Sequence, residues 1–165
     1  MKKPFELEGA FLSLQEEITY LKKRLGKLET WEPSSVAMQI WLSSNQAVVG
    51  GAAAVPIPFD TVYYDTRSTF DLTTYVFTAP VPGIYQAITQ GTITGGAGTF
   101  TVKLLHSTST YFGEIILPLT ITTYNFSHHF KMAAGDTLQV TFEATGNTTI
   151  SGSTSSITTF SVSLA

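Results

Sequence analysis

Residues 70–85 read Phe70-Asp71-Leu72-Thr73-Thr74-Tyr75-Val76-Phe77-Thr78-Ala79-Pro80-Val81-Pro82-Gly83-Ile84-Tyr85. The β-branched and aromatic residues before Ala79 favour an extended, half-buried chain. Pro80-Val81-Pro82-Gly83 interrupts it. Pro82 pre-sets the turn, Gly83 permits a positive φ within it, and Tyr85 re-enters a strand. The same alternation of strand and turn runs outward in both directions. From Ser35 the period is two: Val36, Met38, Ile40 and Leu42 alternate with Ala37, Gln39, Trp41 and Ser43. Strands are expected near 36–42, 59–64, 73–79, 84–93, 99–106, 112–122, 124–131, 137–144 and 156–164. Gly95-Gly96-Ala97-Gly98, Gly135-Asp136 and Gly146-Asn147 mark turns, and Gly50-Gly51-Ala52-Ala53-Ala54 reads as a loop or extended connector. Many short strands without a helical period imply an all-β sandwich.

The same stretch resembles the signature of C1q-type globular heads: an aromatic–Asp pair, then Phe-Thr-x-Pro, then Pro-Gly-x-Tyr. Phe59-Asp60-Thr61-Val62 is similar to that family's preceding strand. Phe130-Lys131-Met132-Ala133-Ala134-Gly135-Asp136-Thr137-Leu138-Gln139-Val140 is similar to its later Gly-Asp strand. Ser155-Ser156-Ile157-Thr158-Thr159-Phe160-Ser161-Val162-Ser163-Leu164 is similar to its closing strand, with Ser161 or a neighbour in place of a glycine. Gln86 departs from the pattern, which usually has an aromatic there. The resemblance implies a C1q/TNF-like jelly roll of ten strands that associates as a tight trimer around an apolar threefold core.

Residues 1–32 follow a different rule. Leu7, Phe11, Leu14, Ile18, Leu21, Leu25 and Leu28 are spaced alternately four and three apart, with Phe11, Ile18 and Leu25 at a and the four other leucines at d. A stripe this narrow cannot bury itself in one helix, although an amphipathic helix docked on its own head is the competing arrangement. A helix over residues 5–31 would be about 40 Å long, and Pro33 stops it at Glu32. In a parallel register Glu17 meets Lys22 of the neighbouring chain and Arg24 meets Glu29, both opposite in sign. Ile at a with Leu at d leans to dimers. Arg24-Leu25-Gly26-Lys27-Leu28-Glu29 instead resembles a trimerisation signature in which the arginine stem covers the seam and its head reaches the glutamate. The expected organisation is a coiled-coil stalk over 1–32 and a β-jelly-roll head over 33–165. C1q-type heads usually sit on a collagen-like stalk, and this chain has no Gly-X-Y repeat.

Composition narrows the function. Charged residues make up 13% of the 165, about half of the usual share of roughly 25%. Half of the acids and two thirds of the bases lie before residue 33. The remainder carries only Arg67, Lys103 and Lys131 as bases. A net charge of −3 with no basic cluster argues against nucleic acid. Cysteine is absent, which excludes disulfides and thiolate chemistry. Met1-Lys2-Lys3 is followed by charged, amphipathic sequence rather than the apolar run of a secretory leader, and no segment is long enough to insert in a membrane. Asn125-Phe126-Ser127 and Asn147-Thr148-Thr149 therefore read as chance glycosylation matches.

No catalytic motif is present, whether a nucleophile elbow, a phosphate loop or His-Glu-x-x-His, and no enzyme activity or cofactor is expected. Adjacent His128 and His129 face opposite sides of a strand and cannot share a metal, although one near a threefold axis would offer three imidazoles to one ion. Related heads sometimes hold calcium. This chain lacks a dense acidic loop, so Asp71 and Asp136 read as turn residues. Tyr63, Tyr64, Tyr111 and Tyr124 are candidates for a sugar- or protein-binding surface. The expected role is that of a homotrimeric bacteriophage or viral fibre or spike protein at the virion surface. It would attach to a host glycan or protein or decorate the capsid, with the N-terminus meeting a capsid or tail protein. A bacterial surface or spore-coat trimer is the alternative. Receptor contacts are expected in loops far from the stalk: Thr66–Thr69, Ser107–Tyr111 and Gly146–Gly152, with Thr66, Ser68, Ser107, Tyr111 and Asn147 as the named candidates.

Overall fold

The computed structural model describes residues 15–23, 36–107, 110–120, 123–152 and 157–165, with 110–112 as backbone only. The chain divides into two compact units, Met1–Ser34 and Ser35–Ala165. In the first, residues 15–23 form a helix, α1. Its two seam positions, Ile18 and Leu21, are 50% and 59% exposed. The other expected seam and trimerisation positions, Leu7, Phe11, Leu14, Arg24, Leu25, Leu28 and Glu29, lie outside the described residues.

The second unit is an antiparallel sandwich. Its first sheet runs β4 (Thr61–Asp65), β1 (Ala37–Leu42), β13 (Thr158–Leu164), β7 (Gly83–Thr94) and β10 (Thr123–Met132). β10 follows β7 as far as Thr92; Ile93 and Thr94 then pair with β12 (Thr148–Ile150), which pairs with β2 (Gln46–Val48). The second sheet runs β5 (Phe70–Asp71), β6 (Val76–Thr78), β11 (Thr137–Ala144), β8 (Thr99–His106) and β9 (Thr110–Pro118), with β3 (Val55–Pro56) also on β11.

Alternation decides the core. Met38, Ile40 and Leu42 turn inward from β1, while Ala37, Gln39 and Trp41 turn outward. Between the sheets Phe100 stacks on Phe142 at 5.4 Å and leans on Tyr124 at 5.7 Å. Phe59 stacks on Phe160 at 5.9 Å, and Phe77 meets Tyr85 edge-on at 5.7 Å. Phe100, Phe142, Phe77, Phe59 and Phe160 are all fully buried, each removing on the order of 2–3 kcal/mol of apolar surface from water.

The Pro-rich turn keeps its expected place but not its expected mechanism. Gly83 opens β7 in extended backbone and has no positive φ. A Cβ there would meet the tip of the Leu164 side chain, which would have to give way. The turn is held instead by Tyr85, whose buried ring sends its hydroxyl back to donate to the Val81 carbonyl at 2.7 Å. Gly91 is constrained similarly: it pairs with Tyr124, whose ring lies over it. The strand expected at 73–79 is shorter, because Asp71 draws Thr73 and Thr74 into a turn before β6. The two- and three-residue strands β2, β3, β5 and β12 were not expected, since they are too short to show a period.

Strand direction fixes two ends. Ala37 lies opposite Ser163 and Trp41 opposite Thr159, so β1 runs from the end where the chain enters to the far end. β7 runs the same way, since Tyr85 pairs with Leu164 and Gln90 with Thr159. β10 returns, and β8 descends from the far-end turn at residues 95–98 to His106 at the entry end.

Candidate binding surfaces

Three cross-strand rows cover the outward face of the first sheet. They are Tyr64–Gln39–Ser161–Ile88–Ser127, Ala37–Ser163–Gln86–His129 and Trp41–Thr159–Gln90–Asn125. None holds an Asp, Glu, Lys or Arg; Lys131 lies at the entry-end margin, opposite Ile84. Polar groups here bond to each other, Gln86 Nε2 to Ser127 Oγ at 3.3 Å and Asn125 Nδ2 to Gln90 Oε1 at 3.5 Å. One corner is aromatic: Tyr63, 67% exposed, sits 6.0 Å from Trp41 and 5.7 Å from Tyr64. Beside it is an open groove of about 290 Å³ lined by Gln39, Trp41, Tyr63, Gln90, Ile157 and Thr159.

The outward face of the second sheet is charged. Lys103 Nζ lies 2.7 Å from Glu143 Oε2, and Glu114 is opposite Lys103 on β9.

The five receptor candidates divide between the two ends. Thr66 is tied to the chain entry: its N–H donates to the Ala37 carbonyl at 3.0 Å and its hydroxyl accepts from the Ala37 N–H at 3.1 Å. Ser68 follows in the same loop, with φ +52°. That loop is held by Asp65, whose carboxylate accepts from Arg67 N–H, Thr69 Oγ1 and Phe70 N–H at 3.3, 2.9 and 2.9 Å. Ser107, at φ +41°, follows β8 at this end too. The expectation that Thr66–Thr69 and Ser107 lie far from the entry is therefore corrected: β4 and β8 both run toward it. Tyr111 lies on β9 opposite Leu105, and its side chain is outside the described residues. Only Asn147 of the five is at the far end, where its Oδ1 accepts from the Gly50 N–H at 2.9 Å. Of the tyrosines, Tyr63 and Tyr64 are surface rings. Tyr124 is buried, which pushes its hydroxyl up to about 12.

Titratable groups serve turns. The Asp71 carboxyl is held below its ordinary value by the Thr73 N–H and the Thr74 hydroxyl. Asp136 is held low by the Ala133 N–H, with His106 adding to it. At Asp60, partial burial pushes upward and is outweighed by hydrogen bonds from the Ser43 hydroxyl and N–H and from Thr61. Ser107 Oγ and Asp136 Oδ2 meet the same imidazole nitrogen of His106, at 3.5 and 3.1 Å. A catalytic triad needs the carboxylate on the opposite ring nitrogen. His128 stacks between Phe126 and Phe130 at 6.5 and 6.0 Å, while His129 turns outward beside Gln86. Among the described residues no three His, Asp or Glu converge as metal ligands. Nor is any helix among them long and apolar enough to cross a membrane.

Sequence reasoning missed Trp41, Gln39 and Gln90. The outward phase of the β1 and β7 alternation carries them, and that signal was available once the inward phase had been assigned.

This two-sheet topology, with Tyr85 clamping the Pro-Gly turn, is a C1q/TNF-like jelly roll. The C1q domain profile matches residues 41–162, and the chain belongs to the C1q domain family. The globular domain of zebrafish complement 1qA is similar in structure at 14% identity and a TM-score of 0.57, covering 78% of this chain and 95% of that one. Eiger TNF from S. frugiperda is similar at 13% identity and 0.61, covering 79% and 92%. Murine APRIL is similar at 11% identity and 0.60, covering 79% and 99%. No curated protein matches in sequence.

Proposed function

We propose that the chain is a non-enzymatic homotrimer, a C1q-like head on a parallel coiled-coil stalk, that serves as a virion fibre or spike for host-surface attachment or capsid decoration. The observation that carries the trimer is the first sheet's outward face. A surface of three rows without a charged side chain, with a Trp41–Tyr63–Tyr64 corner, has the charge depletion and aromatic enrichment of an interface core. Ile18 and Leu21 on α1 support the stalk, because they occupy successive a and d positions of the heptad seam, which partner helices would cover. Membership of the C1q family, in which trimeric heads are usual, supports the same count.

What supports an attachment role is the head itself, whose loops at the end of β1 away from the chain entry are polar and free of Lys, Arg, Asp, Glu and His over residues 43–54, 95–98 and 145–152. Light scattering should give three times 17.9 kDa. A monomer or a dimer at micromolar concentration sinks the trimer. Deleting residues 1–32 should leave a trimeric head; its dissociation would place assembly in the stalk alone. Immunogold labelling of purified particles with antibody to the head tests the virion assignment, and label confined to bacterial cells or spores overturns it.

A further inference from the structure

At the far end, loops 43–54, 95–98 and 145–152 contain no Lys, Arg, Asp, Glu or His. The nearby Asp60 carboxylate is engaged by the N–H and hydroxyl of Ser43 at 2.8 and 2.7 Å. The loops are locked to each other. Asn147 Oδ1 accepts from Gly50 N–H at 2.9 Å, Asn45 Oδ1 accepts from Gly152 N–H at 3.0 Å, and Gly51 N–H donates to the Ala144 carbonyl at 2.8 Å. Backbones approach so closely that a Cβ on Gly50 would strike Gly146 and one on Gly152 would strike Ser44. A surface already fixed in this way loses little conformational freedom on binding.

Both asparagines are exposed, and both spend their oxygen inward on a backbone N–H. Among the described residues neither NH2 donates a hydrogen bond, which leaves each available to a ligand. Val49, 66% exposed, lies in the loop that Asn147 caps. These loops carry no aromatic ring or arginine, the side chains that anchor protein partners, and no charge for an anionic ligand. We propose that this end is a binding surface for a neutral, hydroxyl-rich glycan. Asn45 and Asn147 donate to its hydroxyl oxygens, and Val49 packs on the apolar face of a sugar ring. The proposal rests on the attachment role above and names its ligand class and place.

The test uses the full chain on immobilised mannan, glucan and galactan, with heparin as the anionic probe. Asn45→Asp and Asn147→Asp keep the oxygen that holds each loop and remove the NH2 donor, so the trimer should persist by light scattering. The wild type should be retained on at least one neutral polysaccharide, equally from about 0.01 to 1 M salt. The double variant should lose about tenfold in affinity, a step that corresponds to one or two hydrogen bonds, and Val49→Glu should lose at least as much. Unchanged retention in the variants overturns the site. Retention on heparin alone, lost with salt, overturns the ligand class. Particles that attach to cells while the protein binds no neutral polysaccharide overturn the glycan and leave attachment standing. Particles that never attach through this protein bring down both.

Discussion

Across the second sheet's outward face Lys103 reaches Glu143 at 2.7 Å with Glu114 opposite. On the first sheet's outward face the rows through Gln39, Gln86 and Gln90 hold no charge. Both faces are written by the same period-two alternation, and both back onto the same aromatic core. In the trimer proposed above, the difference lies in what each face meets. A face kept in water carries ion pairs at little cost. A face that will be covered cannot, because each unpaired charge taken from water costs several kcal/mol. The same contrast separates the ends: the entry end carries Asp65, Arg67, Asp71 and Asp136, whereas far-end residues 43–54, 95–98 and 145–152 carry none and the Asp60 carboxylate beside them is held by Ser43.

Ile88→Arg would break this contrast most severely. It sets a charge in the middle of the uncharged face, and the expected result is loss of the trimer, on the order of 3–5 kcal/mol for each buried unpaired charge. Thr101→Arg, on the charged face, should leave the mass by light scattering unchanged and shift stability within about 0.5 kcal/mol. If both variants stay trimeric, the first sheet is not the interface.

Phe100→Ala tests the core the faces share. The ring lies between Phe142 and Tyr124, and its loss should cost about 3–5 kcal/mol in denaturant unfolding. Tyr124 gives an alkaline test of the same core. Its folded value, pushed up to about 12 by burial, lies above the unfolded value near 10. The folded state therefore holds a proton that the unfolded state releases. Stability from this group is full below about pH 10 and falls by about 2–3 kcal/mol as pH rises through 12. Tyr124→Phe should flatten that fall.

The smallest effects belong to charged pairs and turns. Lys103→Ala should cost under about 1 kcal/mol, since Glu143 is 41% exposed and water replaces the lysine. Asp71 and Asp136 are held low by N–H donors, so their contribution is present above the unfolded value near 4 and disappears as pH falls through their folded values. Asp71→Asn should blunt that acid loss while moving the neutral-pH midpoint only slightly.

The alternation of Val36 to Leu42 was legible in sequence, and with it the all-β class, because side-chain direction in a strand follows local chain geometry. The stretch from Phe70 to Tyr85 was legible as a family signature for the same local reason: a Pro-Gly turn and a returning tyrosine sit within a few residues of each other. What packs beside Gly83 was not legible, since Leu164, whose side-chain tip lies where a Cβ would sit, is far along the chain. The placement of Thr66 and Ser107 beside the chain entry, and of Asn147 opposite to them, was likewise beyond the sequence. Which loops share an end depends on strand direction and pairing order, and those follow from contacts between β1, β4, β7, β8 and β13 that are distant in sequence. Local composition determined that the loops are polar and that the strands alternate. Only long-range pairing decided which polar loops come together, and so which of them can act as one surface.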